Sequence, residues 1–280
     1  VNRSSRAEPQ SHRRGLWRRT LVLAVVAVVA TVVVGGGLAR LVGTAAALRW
    51  GTLAIATLVG VFGRLVAGFD DNRPPEADAM PADWFGLPNL VTLARGVLLA
   101  WVAGFILLAW TERGVLLAWL PALLYGLAAA LDAVDGALAR RLGRTTALGE
   151  RLDVAFDAAG LLVAPVVAMA AGQLPWWYLT VGLARYAFVA AVRLREHRAL
   201  PVADLPPRTS RRLLAGLQMA FVAAALTPVV SPALGRWGAA LFGGALLLGF
   251  GRDWLYVSGR LVDEARDGDA GSDSGERTVD

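Results

Sequence analysis

LDAVDGALARRLGRTTALGERLDVAFDAAG, Leu131 to Gly160, places Asp132, Asp135, Asp153 and Asp157 in a run otherwise dominated by alanine, leucine and glycine. Residues three or four apart on a helix share a face, so Asp132 and Asp135 project together, and Asp153 and Asp157 do the same one helix later. The short connection from Arg141 to Leu148 makes the two helices antiparallel neighbours. Gly136, Gly149, Ala133, Ala139 and Ala158 keep their facing surfaces small, which lets the backbones approach. Four carboxylates are then expected to meet in one polar cavity.

The flanks of this stretch are built for lipid. The chain of 280 residues is 56% hydrophobic, its mean hydropathy is +0.53, and it repeatedly shows apolar runs long enough to cross a bilayer, which takes about 20 residues as helix. Strand-like alternation is absent, and in lipid such segments satisfy their backbone hydrogen bonds as helices. The expected fold class is therefore all-α: a polytopic membrane protein with a six-helix core and two extra N-terminal transmembrane helices.

Residues 1–19 form a basic N-terminus expected to be disordered. An N-terminal helix pair is expected over 20–69, with spans at about 20–42 and 50–69; the first is read as a retained helix, because it is long and lacks a clear small-residue cleavage site. The acidic, proline-bearing segment DDNRPPEADAMPADWFGLPN, Asp70 to Asn89, contains the linker 70–88. The core, 89–262, is expected to hold spans near 90–110, 114–141, 149–172, 175–195, 211–230 and 234–260. The acidic tail 263–280 reads as disordered. Trp176, Trp177 and Tyr178 suit an interfacial belt.

Charge placement orients these spans, because cytoplasmic loops carry the positive excess. With the N-terminus inside, the outer stretches hold only Arg40, Arg49, Arg113 and Arg236, while the remaining loop arginines, including Arg140, Arg141, Arg144 and Arg151, fall inside. Both termini and the aspartates are then cytoplasmic. The formal net charge of +6, carried entirely by arginine, is explained by anionic lipid and topology, so no nucleic-acid partner is expected.

The absence of cysteine and the presence of only His12 and His197 exclude thiolate chemistry and leave oxygen as the ligand for any metal. A charge near the bilayer centre costs about 2.5–3.5 kcal/mol on insertion scales, and four anions repel one another. A hard divalent ion, Mg²⁺, Mn²⁺ or Ca²⁺, offsets both costs. Two such ions about 4 Å apart suit displacement at phosphorus. Arg140, one turn beyond Asp135, is placed to pair with a phosphate.

The same residues spell DxxDGxxAR, eight residues, then GxxxDxxxD, with Asp132, Asp135, Gly136, Ala139, Arg140, Gly149, Asp153 and Asp157 at every fixed position. In this the chain resembles the CDP-alcohol phosphatidyltransferase family. The resemblance implies transfer of a phosphatidyl or related group from a CDP-linked lipid to a small alcohol acceptor, with release of CMP. It implies that Asp132, Asp135, Asp153 and Asp157 hold Mg²⁺ or Mn²⁺, two ions in all, and that Asp157 is also the catalytic base. Asp132, Gly136, Arg140 and Gly149 are implied on the CDP-lipid side, and a homodimer is implied as well.

LPNLVTLARG, Leu87 to Gly96, is similar to the start of the family's first core helix. Asn89 and Thr92 are read either as nucleotide contacts or as a helix boundary after Pro88, and Arg95 either as a phosphate contact or as a snorkelling side chain. Arg185, Arg193 and Arg195 are candidates for an acceptor phosphate, with loop charge as the competing reading for Arg195. SRRLLAGLQMA, Ser210 to Ala220, departs from the family pattern at one basic position, which leaves the acceptor open; a phosphorylated polyol is preferred, glycerol phosphate ahead of inositol phosphate, with serine or a lipid alcohol as alternatives. Diacyl and ether-linked donors are equally compatible. Arg252 and Asp253 are expected as an intramembrane pair.

Two rivals use similar residues. A UbiA-type prenyltransferase requires an acidic residue where Ala139 stands. A cation transporter distributes acidic groups over several mid-bilayer spans, whereas these cluster at one end of one hairpin.

Overall fold

The computed structural model describes residues 8–72, 85–108, 114–142, 146–203, 205 and 209–261; within its helices, the side chains of 8–12, 115–116, 135–142, 209–210 and 212 lie outside the described set. The expected tail 263–280 and most of the linker 70–88 therefore fall outside it. The described residues form helices α1 (Glu8–Val42), α2 (Thr44–Ala67), α3 (Leu87–Gly104), α4 (Val115–Leu142), α5 (Ala147–Ala170), α6 (Leu179–His197), α7 (Thr209–Ala225), α8 (Pro232–Gly238) and α9 (Gly244–Val257). A π-helical segment, Ala239–Gly243, makes α8 and α9 one broken helix. No strand occurs among the described residues.

Six of the helical segments, in α1 to α5 and in the α8–α9 unit, are long and apolar enough to cross a membrane. The protein is an integral membrane protein of the all-α class. Eight spans were expected, and each has its helix, but α6 and α7 are less apolar than expected. The reason is composition: α6 carries Arg185, Arg193, Arg195 and Glu196, and α7 has an apolar stretch of only Leu213–Ala225 after its basic first turn.

The bundle is organised around α3. It packs most extensively against α2, α4 and α5, and 61% of its apolar stretch is buried, against 17% for α1. The outer face of α1, with Val22, Val25, Val29 and Val32, is exposed, as a lipid-facing helix surface must be.

Indole hydrogen bonds fasten the first two helices to this centre. Trp50 of α2 is fully buried and donates through Nε1 to the Trp101 carbonyl of α3 (3.0 Å). Trp101 donates in turn to Thr31 Oγ1 of α1 (2.8 Å). A buried indole N–H needs such a partner.

The Trp50 ring fits because position 104 is glycine. A Cβ there would lie 2.5 Å from Trp50 Cδ1 and 2.8 Å from the Trp50 carbonyl oxygen. Gly104→Ala is expected to lower stability by about 1–3 kcal/mol, the usual cost of overpacking. Gly126→Ala, which meets nothing within 4 Å, is expected to be neutral or stabilising. Thermal unfolding in detergent, read from tryptophan fluorescence, checks the contrast.

Candidate active site

The site begins with the cap of α5. Thr146 Oγ1 accepts from the Gly149 amide (3.0 Å), which satisfies one of the open donors of the first turn. The same hydroxyl donates to Asn89 Oδ1 at the start of α3 (3.1 Å), and Asn89 Nδ2 donates to Asn72 Oδ1 beyond α2 (3.2 Å). Arg151 of α5 pairs with Asp71 in the same region. The ends of α2, α3 and α5 are thus tied together. A Cβ on residue 149 would fall 2.5 Å from the tethered Asn89 oxygen, so glycine is needed there for packing alone.

Starting α5 at this point sets the register of Asp153 and Asp157, one turn apart on its inner face. Asp132 comes from the far part of α4, and Arg95 from α3. The Arg95 guanidinium reaches all three carboxylates: Nη1 lies 2.8 Å from Asp132 Oδ1 and 2.5 Å from Asp153 Oδ1, and Nη2 lies 2.6 Å from Asp157 Oδ1. Arg95 is only 3% exposed, whereas the aspartates are 31–41% exposed. The carboxylates therefore keep one side open while the arginine closes the other.

Each carboxylate also offers an oxygen within 4.8 Å of the others. Three hard, anionic donors at this spacing fit a divalent cation of the Mg²⁺ or Mn²⁺ type. One guanidinium against three carboxylates leaves the cluster two charges short of neutrality, which gives such a cation an electrostatic reason to bind.

A second polar feature adjoins the cluster. A cavity of about 430 Å³ between α5, α6, α7 and α9 is lined by Ala158, the neighbour of Asp157, and by Arg185, Arg211, Arg252 and Asp253, with leucine and phenylalanine walls. Arg211 holds Asp253 with two bonds, Nε to Oδ2 at 2.7 Å and Nη2 to Oδ1 at 3.1 Å. The expected Arg252–Asp253 pair is thereby corrected. Consecutive residues on a helix point in different directions, so Asp253 is taken by α7. Arg185 and Arg252 make no ion pair among the described residues.

Asp135, Gly136 and Arg140 lie on α4, but Asp135 and Arg140 have side chains outside the described residues. Asn89 and Thr92 are buried; Asn89 is engaged in the cap network, and Thr92 Oγ1 donates to the Pro88 carbonyl (3.1 Å). Arg193 is exposed on α6. Arg195 donates to the Pro201 carbonyl (2.8 Å) and lies over the Trp254 ring, 5.8 Å from its centroid. Neither of these two arginines lines the cavity beside Asp157.

Sequence reading did not find the partners of Arg95. The available signal was depth: Arg95 is eight positions into α3, ~12 Å from its start, and an ionisable group there needs a polar partner.

A family model described as CDP-alcohol phosphatidyltransferase matches residues 85–250, more than half of the chain. Proteins named "Putative cardiolipin synthase" from Mycobacterium bovis and Mycobacterium tuberculosis are each 30% identical to this chain over 104 residues, 37% of this chain and 47% of the relative. The chain thus spans about half the length of the curated relatives it matches. No solved structure matches it.

Arg95→Gln leaves three carboxylates together without their cation. Removing one partner of a fully buried pair costs ~3–5 kcal/mol; because these aspartates are about a third open to solvent, the expected loss is smaller, ~2–3 kcal/mol. Chemical or thermal unfolding in the presence of a chelator measures it.

Proposed function

The chain belongs to the CDP-alcohol phosphatidyltransferase family, and from that premise we propose that it transfers a phosphatidyl or archaetidyl group from a CDP-linked lipid to an alcohol, releasing CMP in phospholipid synthesis. The observation that carries this reading is the convergence of Asp132, Asp153 and Asp157 on Arg95. An acidic, oxygen-only site open on one side is suited to a metal-held pyrophosphate.

In this reading Asp132, Asp135, Asp153 and Asp157 hold two Mg²⁺ or Mn²⁺ ions. When bound, the metal neutralises charge on the pyrophosphate and improves CMP as a leaving group. Asp157, within electrostatic reach of Arg185 in the wall of the 430 Å³ cavity, takes the proton of the acceptor hydroxyl. The acceptor oxygen forms the new bond to phosphorus, and the bond from phosphorus to CMP breaks. Gly136 and Arg140 act on the donor side, where Arg140 pairs with a phosphate. We assign Asn89, Thr92 and Gly149 to the same side as its frame, since they fix where α5 begins.

Arg185 and Arg252 line the cavity without an ion pair among the described residues, which supports an anionic acceptor. A phosphorylated polyol, glycerol phosphate before inositol phosphate, fits this charge. The apolar walls and the name of the mycobacterial relatives favour a second reading, in which the acceptor is a lipid alcohol with its own phosphate. Arg193 and Arg195 belong to the cytoplasmic rim. The arginine distribution supports a cytoplasmic site with both termini on that side, the N-terminal helix pair serves as a brace for α3, and the functional unit is a homodimer.

Asp157→Asn keeps oxygen ligation but removes the base. It is expected to reduce transfer by about 10²–10⁴-fold while CDP-lipid and Mn²⁺ binding persist. Loss of binding in step with activity contradicts the base assignment; calorimetry beside a CMP-release assay separates the two.

A further inference from the structure

Two buried polar atoms near Asp157 have no hydrogen-bond partner among the described residues: Nε of Arg95 and the hydroxyl of Tyr125. Both Nη atoms of Arg95 serve the carboxylates, and Nε is the guanidinium nitrogen left without a contact among the described residues. Tyr125 lies two turns before Asp132 on the same face of α4, and its side chain is 2% exposed. Buried donors without partners are rare in native proteins, and each one calls for an explanation.

Both residues line one small cavity, and Asp157 lines it too. Its volume is about 10 Å³, and its remaining walls are apolar, including Leu99, Phe156 and Met219. That is about the volume a single water needs, and a buried water is stable where it finds two to four polar partners.

We propose that this cavity is an internal water site. The water accepts from Arg95 Nε–H and from the Tyr125 hydroxyl and donates to the Asp157 carboxylate. Three hydrogen bonds result, and both buried donors are satisfied. The inference rests on the proposed role of Asp157 only for its functional consequence: Tyr125, acting through the water, is a positioning residue. Arg95 Nη2 holds the carboxylate from one side and the water from another, so the oxygen that meets the acceptor hydroxyl keeps one orientation.

Tyr125→Phe tests this because it removes one oxygen and keeps the ring. A water-bridged hydroxyl contributes stability, so the melting temperature should fall by about 2–4 °C. A hydroxyl buried without a partner is a cost, so an unchanged or higher melting temperature would overturn the proposal. An experimental density map should show a peak within hydrogen-bond distance of Arg95 Nε, Tyr125 Oη and Asp157; an empty cavity would sink it. For positioning, kcat for transfer should fall about tenfold with KM for the CDP-lipid unchanged, and an unchanged kcat would refute that role. The melting and density readouts need no turnover, so failure of the proposed reaction and failure of the water site are distinguishable.

Discussion

One guanidinium, buried where α3, α4 and α5 meet, faces three carboxylates. The charges do not balance, and the local structure follows from that. Arg95 is closed off from solvent, so its charge is sustained only while Asp132, Asp153 and Asp157 stay within 2.8 Å. The aspartates are partly open and remain net negative, which is the condition for attracting a cation and, with it, a pyrophosphate. In the proposed function, the same contact that holds the helices together also prepares the chemistry.

The surroundings serve that contact. The cap network of Thr146, Asn89 and Asn72 sets where α5 begins, and hence which face Asp153 and Asp157 present. Trp50 and Trp101 lock α1 and α2 against α3, and α4 and α5 pack on the same helix, so the helix that carries Arg95 is held by its neighbours. The cavity near Asp157 is bounded by α5, α6, α7 and α9, and Arg185, Arg211 and Arg252 stand in its walls. These arginines mark the side where substrates are proposed to enter, away from the apolar packing of α2 against α3.

Much of this was legible in the sequence, for a physical reason. Helical periodicity places residues three or four apart on one face, so the common face of Asp153 and Asp157 could be read directly, and apolar run length located the helices. Contacts between distant positions were not legible in this way. Arg95 meets Asp153 and Asp157 across 58 and 62 residues, and periodicity tells which face a residue occupies without telling what faces it. Adjacency also misled: Arg252 and Asp253 are neighbours in sequence, yet Asp253 pairs with Arg211. The partners of Asn89, Asn72 and Thr146, likewise lie far from it in sequence.

The account is tested most directly by CMP release from purified protein supplied with Mg²⁺ or Mn²⁺ and either a diacyl or an ether-linked CDP-lipid. The acceptors to compare are glycerol phosphate, inositol phosphate, serine, a phosphate-bearing lipid alcohol and none. The predicted result is release that requires both the metal and an anionic acceptor and that stops on chelation. Release that persists in chelator, or no acceptor-dependent release with any donor, would contradict it.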